Sequence, residues 1–243
     1  MTGNESCGNA GKNVYVSSLI SNPTSTYQGC YNNQPPTEDV AFVPDMNSNT
    51  TGGFWAGASS FYDNNNTYAG WNAFDHNKDT FWHTNTDSKY IYNSTTGIYE
   101  GINSIPVNTK NSGTIPINGE YLQINMPNVN TPNATKVAIS QYALRGRIGC
   151  SGCYNSDGTS SGRDPNSWYI IGYDGSGWNE IDHKENYNFP SIGSYQKFSV
   201  NDTNKYSAFI IIITVCGNSN NKTILLSNRF LEFIYKCNST RFR

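Results

Sequence analysis

From about residue 54 onward the chain is a series of short runs of strand-forming residues set between Gly, Asn and Pro turn signals, and no segment carries a sustained helical period. The runs fall at 54–62, 120–125, 136–144, 168–173, 197–200, 208–216 and 230–235. The clearest alternation is Tyr121-Leu122-Gln123-Ile124, in which every second side chain suits a buried face. Phe209 to Val215 is apolar almost throughout; it falls far short of the roughly 20 residues needed to cross a bilayer and fits a buried strand. Many short strands in 243 residues, with no internal repeat, predict an all-β sandwich or barrel. Two polar stretches, about 85–118 and 146–166, interrupt the pattern and read as long loops, a feature usually tied to function or disorder.

Residues 1–50 differ in texture. They are rich in Asn, Ser, Thr and Pro, with one candidate strand at 14–20. We read them as a long extended N-terminal arm, either docked on a neighbouring subunit or a free tail, preceding a domain over 51–243.

Charged residues make up 14% of the chain, against about 25% in an average soluble protein, and 35 residues are Asn. The net charge is −2 and the 16 Lys and Arg are scattered, which argues against nucleic acid or an anionic membrane as partner. Tyr dominates the aromatics and suits both half-buried strands and polar binding surfaces. The first residues carry no basic stretch followed by an apolar run, so no signal peptide is visible. Sequons at Asn49, Asn93, Asn133 and Asn221 arise readily by chance in such a composition. An extracellular-looking composition without an export signal fits a virus particle assembled in the cytoplasm, unconventional secretion, or a signal already removed.

Several motifs then occur in one order. They are Trp71-Asn72-Ala73-Phe74-Asp75-His76-Asn77-Lys78-Asp79-Thr80-Phe81-Trp82-His83-Thr84, Gly119-Glu120-Tyr121-Leu122-Gln123-Ile124-Asn125, Lys136-Val137-Ala138-Ile139 with Arg145-Gly146-Arg147, Pro165-Asn166-Ser167-Trp168-Tyr169-Ile170, Trp178-Asn179-Glu180-Ile181, and Leu231-Glu232-Phe233-Ile234-Tyr235. Together they resemble the discoidin, or factor V/VIII type C, domain of the galactose-binding-like class, collinear from about 54 to 237. The resemblance implies an antiparallel jelly-roll-like β-sandwich of about eight strands, used for binding sugars or lipid head groups and not for catalysis. One departure is His76, which stands where the family has a Gly that often takes positive φ.

Asp75-x-Asn77-x-x-Thr80 packs oxygen donors into one turn, as Ca²⁺ prefers. The resemblance implies one structural Ca²⁺ here, completed by carbonyls of Asn72 and Leu231 and by Glu232; the other reading is an Asx-turn closed by hydrogen bonds alone. Sugar-binding candidates are Tyr62 and Tyr68 around Asn64-Asn65-Asn66, Tyr90, Tyr92 and Tyr99 in the first long loop, and Tyr154 and Arg163 in the second. Phe74, Trp82, Trp168 and Trp178 are assigned to the core, and His83 to a structural role. Cys150-x-x-Cys153 lacks the further ligands of a zinc site and reads as a loop disulfide or two thiols. The family often ties its domain ends together, which implies a Cys30–Cys237 bridge.

His76, His83 and His183 pair with no nucleophile motif, and carboxylates are few, so an enzyme is not expected. The expected function is a glycan-binding, lectin-like module acting on carbohydrate or glycoprotein at a cell or particle surface, in adhesion or host attachment. The alternative is a structural or minor capsid protein of a large virus, with the arm contacting neighbouring subunits.

Overall fold

The structure is a computed structural model. It describes residues 40–41, 43–77, 79–85, 92–93, 98–99, 104–145, 164–190, 195–216, 225–227 and 232–235, with the backbone alone at 40–41, 92–93, 98–99, 225–227 and 232–235.

Sixteen strands are described: β1 (Val40–Ala41), β2 (Thr50–Thr51), β3 (Phe54–Ala58), β4 (Phe81–His83), β5 (Tyr92–Asn93), β6 (Ile98–Tyr99), β7 (Ser104–Thr109), β8 (Gly113–Asn118), β9 (Glu120–Asn125), β10 (Gln141–Arg145), β11 (Pro165–Tyr173), β12 (Trp178–Lys184), β13 (Tyr195–Ser199), β14 (Ala208–Cys216), β15 (Leu225–Ser227) and β16 (Glu232–Tyr235). One sheet runs β1-β16-β10-β13 and the larger runs β2-β3-β9-β14-β11-β12-β7-β8, with β6 joined to β14 and β5 to β6. The strands β3, β9, β10, β11, β12, β13, β14 and β16 form the antiparallel sandwich expected from the sequence; most of the rest are short additions. No helix among the described residues is long and apolar enough to cross a membrane.

Strand periodicity explains the core. Along β9, Glu120, Leu122 and Ile124 are buried while Tyr121, Gln123 and Asn125 are half-exposed. Opposite, Phe209, Ile211 and Ile213 of β14 enter the same core as Trp168, Tyr142, Leu144 and Phe198. Trp82 and Phe74 lie in it as expected. β14 is apolar on both faces because it is covered on both. Its outward Ile210 and Ile212 join Val107, Ile117 and Ile171 in a second cluster.

The cover on that outer face is the β7–β8 hairpin, paired from Ser104↔Asn118 to Thr109↔Gly113. The part of the first long loop from residue 104 to residue 118 is therefore a strand pair, and it lies as a lid on the sheet. Trp178 belongs to this outer cluster, half-buried beside Tyr173, and not to the main core as the sequence reading had it. The hairpin makes a second apolar environment, which a single-core reading does not anticipate.

Within the stretch read as an arm, Val40 and Ala41 pair with Tyr235 and Ile234, and Val43 and Met46 are buried in the main core. The last part of that stretch is thus built into the sandwich, because its apolar side chains help close the core. Residues 1–39, including the candidate strand at 14–20, lie outside the described residues.

Candidate functional site

At the end of β3 the chain passes over a buried carboxylate. Glu120 is 1% exposed, and its Oε2 accepts from the hydroxyls of Ser59 and, at 2.8 Å, Ser60. The Tyr121 amide donates to Ser59 Oγ at 2.8 Å and the Asn85 amide to Ser60 Oγ at 3.0 Å. The indole N–H of Trp82 donates to the Ser60 carbonyl at 2.7 Å. Such a buried, hydrogen-bonded knot holds its backbone in one arrangement.

Burial pushes the Glu120 carboxyl above its usual range, and the two serine hydroxyls only partly oppose this. The folded protein therefore holds this proton to higher pH than the unfolded chain does. Its stabilising contribution is fully present below the ordinary Glu value and is lost as pH rises through the folded one. Glu120→Gln is expected to flatten this dependence. In urea unfolding from pH 4 to 8, the stability of the variant relative to the parent should climb with pH; parallel curves would contradict the assignment.

Two 3-10 turns stand on this base, Tyr62–Asn64 and Asn66–Tyr68. Asp63 and Asn64 take positive φ of 53° and 51°, a region Asn and Asp tolerate. The Asn65 side chain accepts from the Thr67 amide at 3.0 Å. Buried Asn72 clamps the second turn, its amide donating to the carbonyls of Asn66 and Thr67 at 3.0 and 2.9 Å.

The turns bring the two expected tyrosines together. The Tyr62 and Tyr68 rings meet edge to face with centroids 5.6 Å apart. His83 lies 4.8 Å from Tyr62 and 5.6 Å from Tyr68, and Phe81 lies 5.4 Å from Tyr68. All four rings are half-buried, beside exposed Asp63, Asn64, Asn65 and Asn66. His83 Nδ1 is 2.7 Å from the Thr84 carbonyl, so Nδ1 carries the proton and the ring is fixed in place. His83, assigned only a structural role from sequence, is part of this cluster. The available signal was period two: Phe81 and His83 flank buried Trp82 and share its opposite face.

Other candidates fall unevenly. Tyr90, Tyr154, Arg163, Leu231, Cys30, Cys150, Cys153 and Cys237 lie outside the described residues. Tyr92 and Glu232 are described by backbone alone. Tyr92 pairs with Tyr99, and the neighbouring Ile98 pairs with Val215, two residues beyond the Ile213 that faces Glu120. The β5–β6 backbone therefore joins the same end of the sandwich as the tyrosine cluster. Glu232 pairs with Ala143.

The oxygen-rich turn is closed on itself. Asp75 Oδ1 accepts from the Asn77 amide at 3.0 Å, and Oδ2 accepts from the Thr80 hydroxyl at 2.6 Å. The Thr80 hydroxyl also lies 2.9 Å from the Asn77 carbonyl. His76 takes positive φ, at 50°, in the place of the family's Gly, with its Nδ1 against the Asp45 carboxylate. Burial raises the Asp75 carboxyl above its usual range, against hydrogen bonds from Thr80 and Asn77 and the charge of His76. The donors that converge here, a carboxylate, a hydroxyl and a carbonyl, are all oxygen and fit a hard cation. The Asn72 side-chain NH2 is engaged in its clamp on the second turn.

No protein-family profile and no curated protein sequence matches the chain. Solved structures resemble it at low identity. The family 32 carbohydrate-binding module of Clostridium perfringens NanJ, in complex with galactose, has a TM-score of 0.44 at 12% identity, over 74% of this chain and 93% of that one. A family 32 module of a second C. perfringens protein, in complex with GalNAc-β-1,3-galactose, has a TM-score of 0.43 at 15% identity, over 75% and 95%. An F5/8 type C domain from Bacteroides fragilis has a TM-score of 0.46 at 12% identity, over 75% and 91%.

Proposed function

We propose that this chain is a non-catalytic glycan-binding module, displayed at a cell or particle surface, and that the Tyr62–Tyr68–His83 cluster is its sugar-contacting face. The observation that carries this reading is the cluster itself. Half-exposed rings offer apolar faces to the C–H side of a pyranose, and the neighbouring Asn amides supply hydrogen bonds to its hydroxyls. The turns that hold the rings are pinned by Asn72 and by the buried knot below, so little ordering entropy is lost on binding. The collinear discoidin-like motifs support the same reading.

We further propose that the Asp75, Asn77 and Thr80 turn binds one Ca²⁺, with the Asn72 and Leu231 carbonyls and Glu232 as the remaining ligands. The ion would offset the burial of the Asp75 carboxylate and tie the turn to the last strand. A ligand that binds only the folded state raises stability, by about 2.7 kcal/mol at a hundredfold excess over Kd. Thermal melting is therefore expected to shift upward in Ca²⁺ relative to chelator, and Asp75→Asn should remove the difference. Equal melting temperatures for the parent protein in both conditions would leave the turn as a metal-free Asx motif.

A broad glycan array with Ca²⁺ and with chelator tests the function. Saturable binding to related sugars supports the module reading. A blank array from folded protein overturns it and favours the structural assembly role.

A further inference from the structure

We propose a second sugar-contacting surface on the outer face of the large sheet, a platform made by Trp55, Gln123 and Asn125 that takes a neutral glycan chain. It rests on the glycan-binding reading for the class of ligand, but uses a different face of the molecule. Trp55 is 39% exposed and is the only large apolar side chain exposed among the described residues. An indole held at the surface of a regular strand presents a broad apolar ring with a polar N–H, which a ligand can cover at a gain.

The neighbours set how the ring lies. The six-membered ring of Trp55 leans along β3 and rests against Gly57, where an added Cβ would lie 2.2 Å from Cη2. Any side chain at 57 would displace the ring from the sheet. Trp55 pairs with Asn125 and Gly57 with Gln123, so all four residues share the outer face. Gln123 Nε2 donates to Asn125 Oδ1 at 2.6 Å, which leaves Gln123 Oε1 as an acceptor and Asn125 Nδ2 as a donor beside the indole. Thr50, opposite Trp55 on β2, adds an exposed hydroxyl. On the far side the same face runs under the β7–β8 hairpin at Tyr121, Ile210 and Ile212, so the platform ends at a wall.

The chemistry of the patch selects its occupant. Thr50, Trp55, Gly57, Gln123 and Asn125 carry no charge, so nothing there draws a sulfated or sialylated group. A stable protein interface needs about 800 Å² from each partner, with several anchors. One ring flanked by two amides is too little for that, and is sufficient for a pyranose, whose C–H face stacks on an indole while its hydroxyls bond to planar polar groups.

The test is tryptophan emission and calorimetric titration with neutral galacto-, manno-, gluco- and chito-oligosaccharides of rising length, on the full chain. Trp55→Ala is expected to weaken binding of the responding series about tenfold and to remove its emission change. Gln123→Ala should weaken it less. Both positions are at the surface, and unchanged circular dichroism would establish that the variants fold. Loss in Trp55→Ala with binding kept in Tyr62→Ala/Tyr68→Ala supports the platform and overturns the tyrosine face. Loss only in the tyrosine variant, with Trp55→Ala binding like the parent, overturns the platform alone. No response from the parent protein to any series overturns both.

Discussion

Replacing Trp168 by alanine is expected to destabilise the fold by about 3–5 kcal/mol, a large share of the roughly 5–15 kcal/mol that holds a domain together. Trp168 is fully buried, and it links the two sheets. Its strand, β11, pairs with Ile213 on one side and Lys184 on the other. Its ring meets Phe198 of the opposite sheet at 5.4 Å, edge to face, and Tyr187 at 5.5 Å in the same geometry. The indole N–H donates to the Tyr142 hydroxyl at 3.0 Å, and that hydroxyl donates to Asp182 Oδ2 at 2.6 Å. Alanine would open a cavity at the centre of this aromatic group, which cannot collapse without moving both sheets. Trp168→Phe should recover most of the loss, since Tyr142 keeps Asp182 as its acceptor when the indole donor is removed. Urea unfolding followed by circular dichroism checks both. An alanine variant as stable as the parent would mean that the sheets do not pack through Trp168.

How much of this was legible depends on how far each residue's environment is local. β9 and β14 match their expected limits, because strict alternation at 120–125 and an unbroken apolar run at 208–216 report burial directly. Phe74, Trp82 and Trp168 follow from size and apolarity alone. The β7–β8 hairpin is different. Its inward residues are only Ile105, Val107, Ile115 and Ile117, set among Ser, Asn, Thr and two prolines that face each other across the ladder, so it looks like a polar loop. Its identity as a strand pair comes from the apolar face of β14 and β11 that it covers. Trp178 was misplaced for the same reason. In the site, Tyr62 and Tyr68 were legible as aromatic flanks of an Asn-rich turn. Their meeting with Phe81 and His83 was not, since it depends on the clamp from Asn72 and the Ser60–Trp82 hydrogen bond, both made by folding. The positive φ of His76 was not legible: His tolerates that region less well than Gly, and the sequence marked the position only as a departure from the resemblance.

The same dependence on tertiary clamps sets what should happen when the tyrosines are removed. Tyr62→Ala together with Tyr68→Ala is expected to lower glycan affinity by about thirtyfold or more, equivalent to about 2 kcal/mol or more, with stability changing by about 1 kcal/mol. The rings are half-exposed, so little core packing leaves with them, and the turns are held by backbone and Asn72 contacts that do not involve the phenols. Phenylalanine at both positions separates the two contributions. If stacking dominates, the double Phe variant binds nearly as the parent does; if the hydroxyls direct the sugar, it resembles the alanine variant. Asn72→Ala should act through position alone: it frees the second turn, so affinity falls while both rings remain. Titration with the sugars that respond on the array reads all three. Undiminished binding by the double alanine variant would place the sugar elsewhere on the molecule.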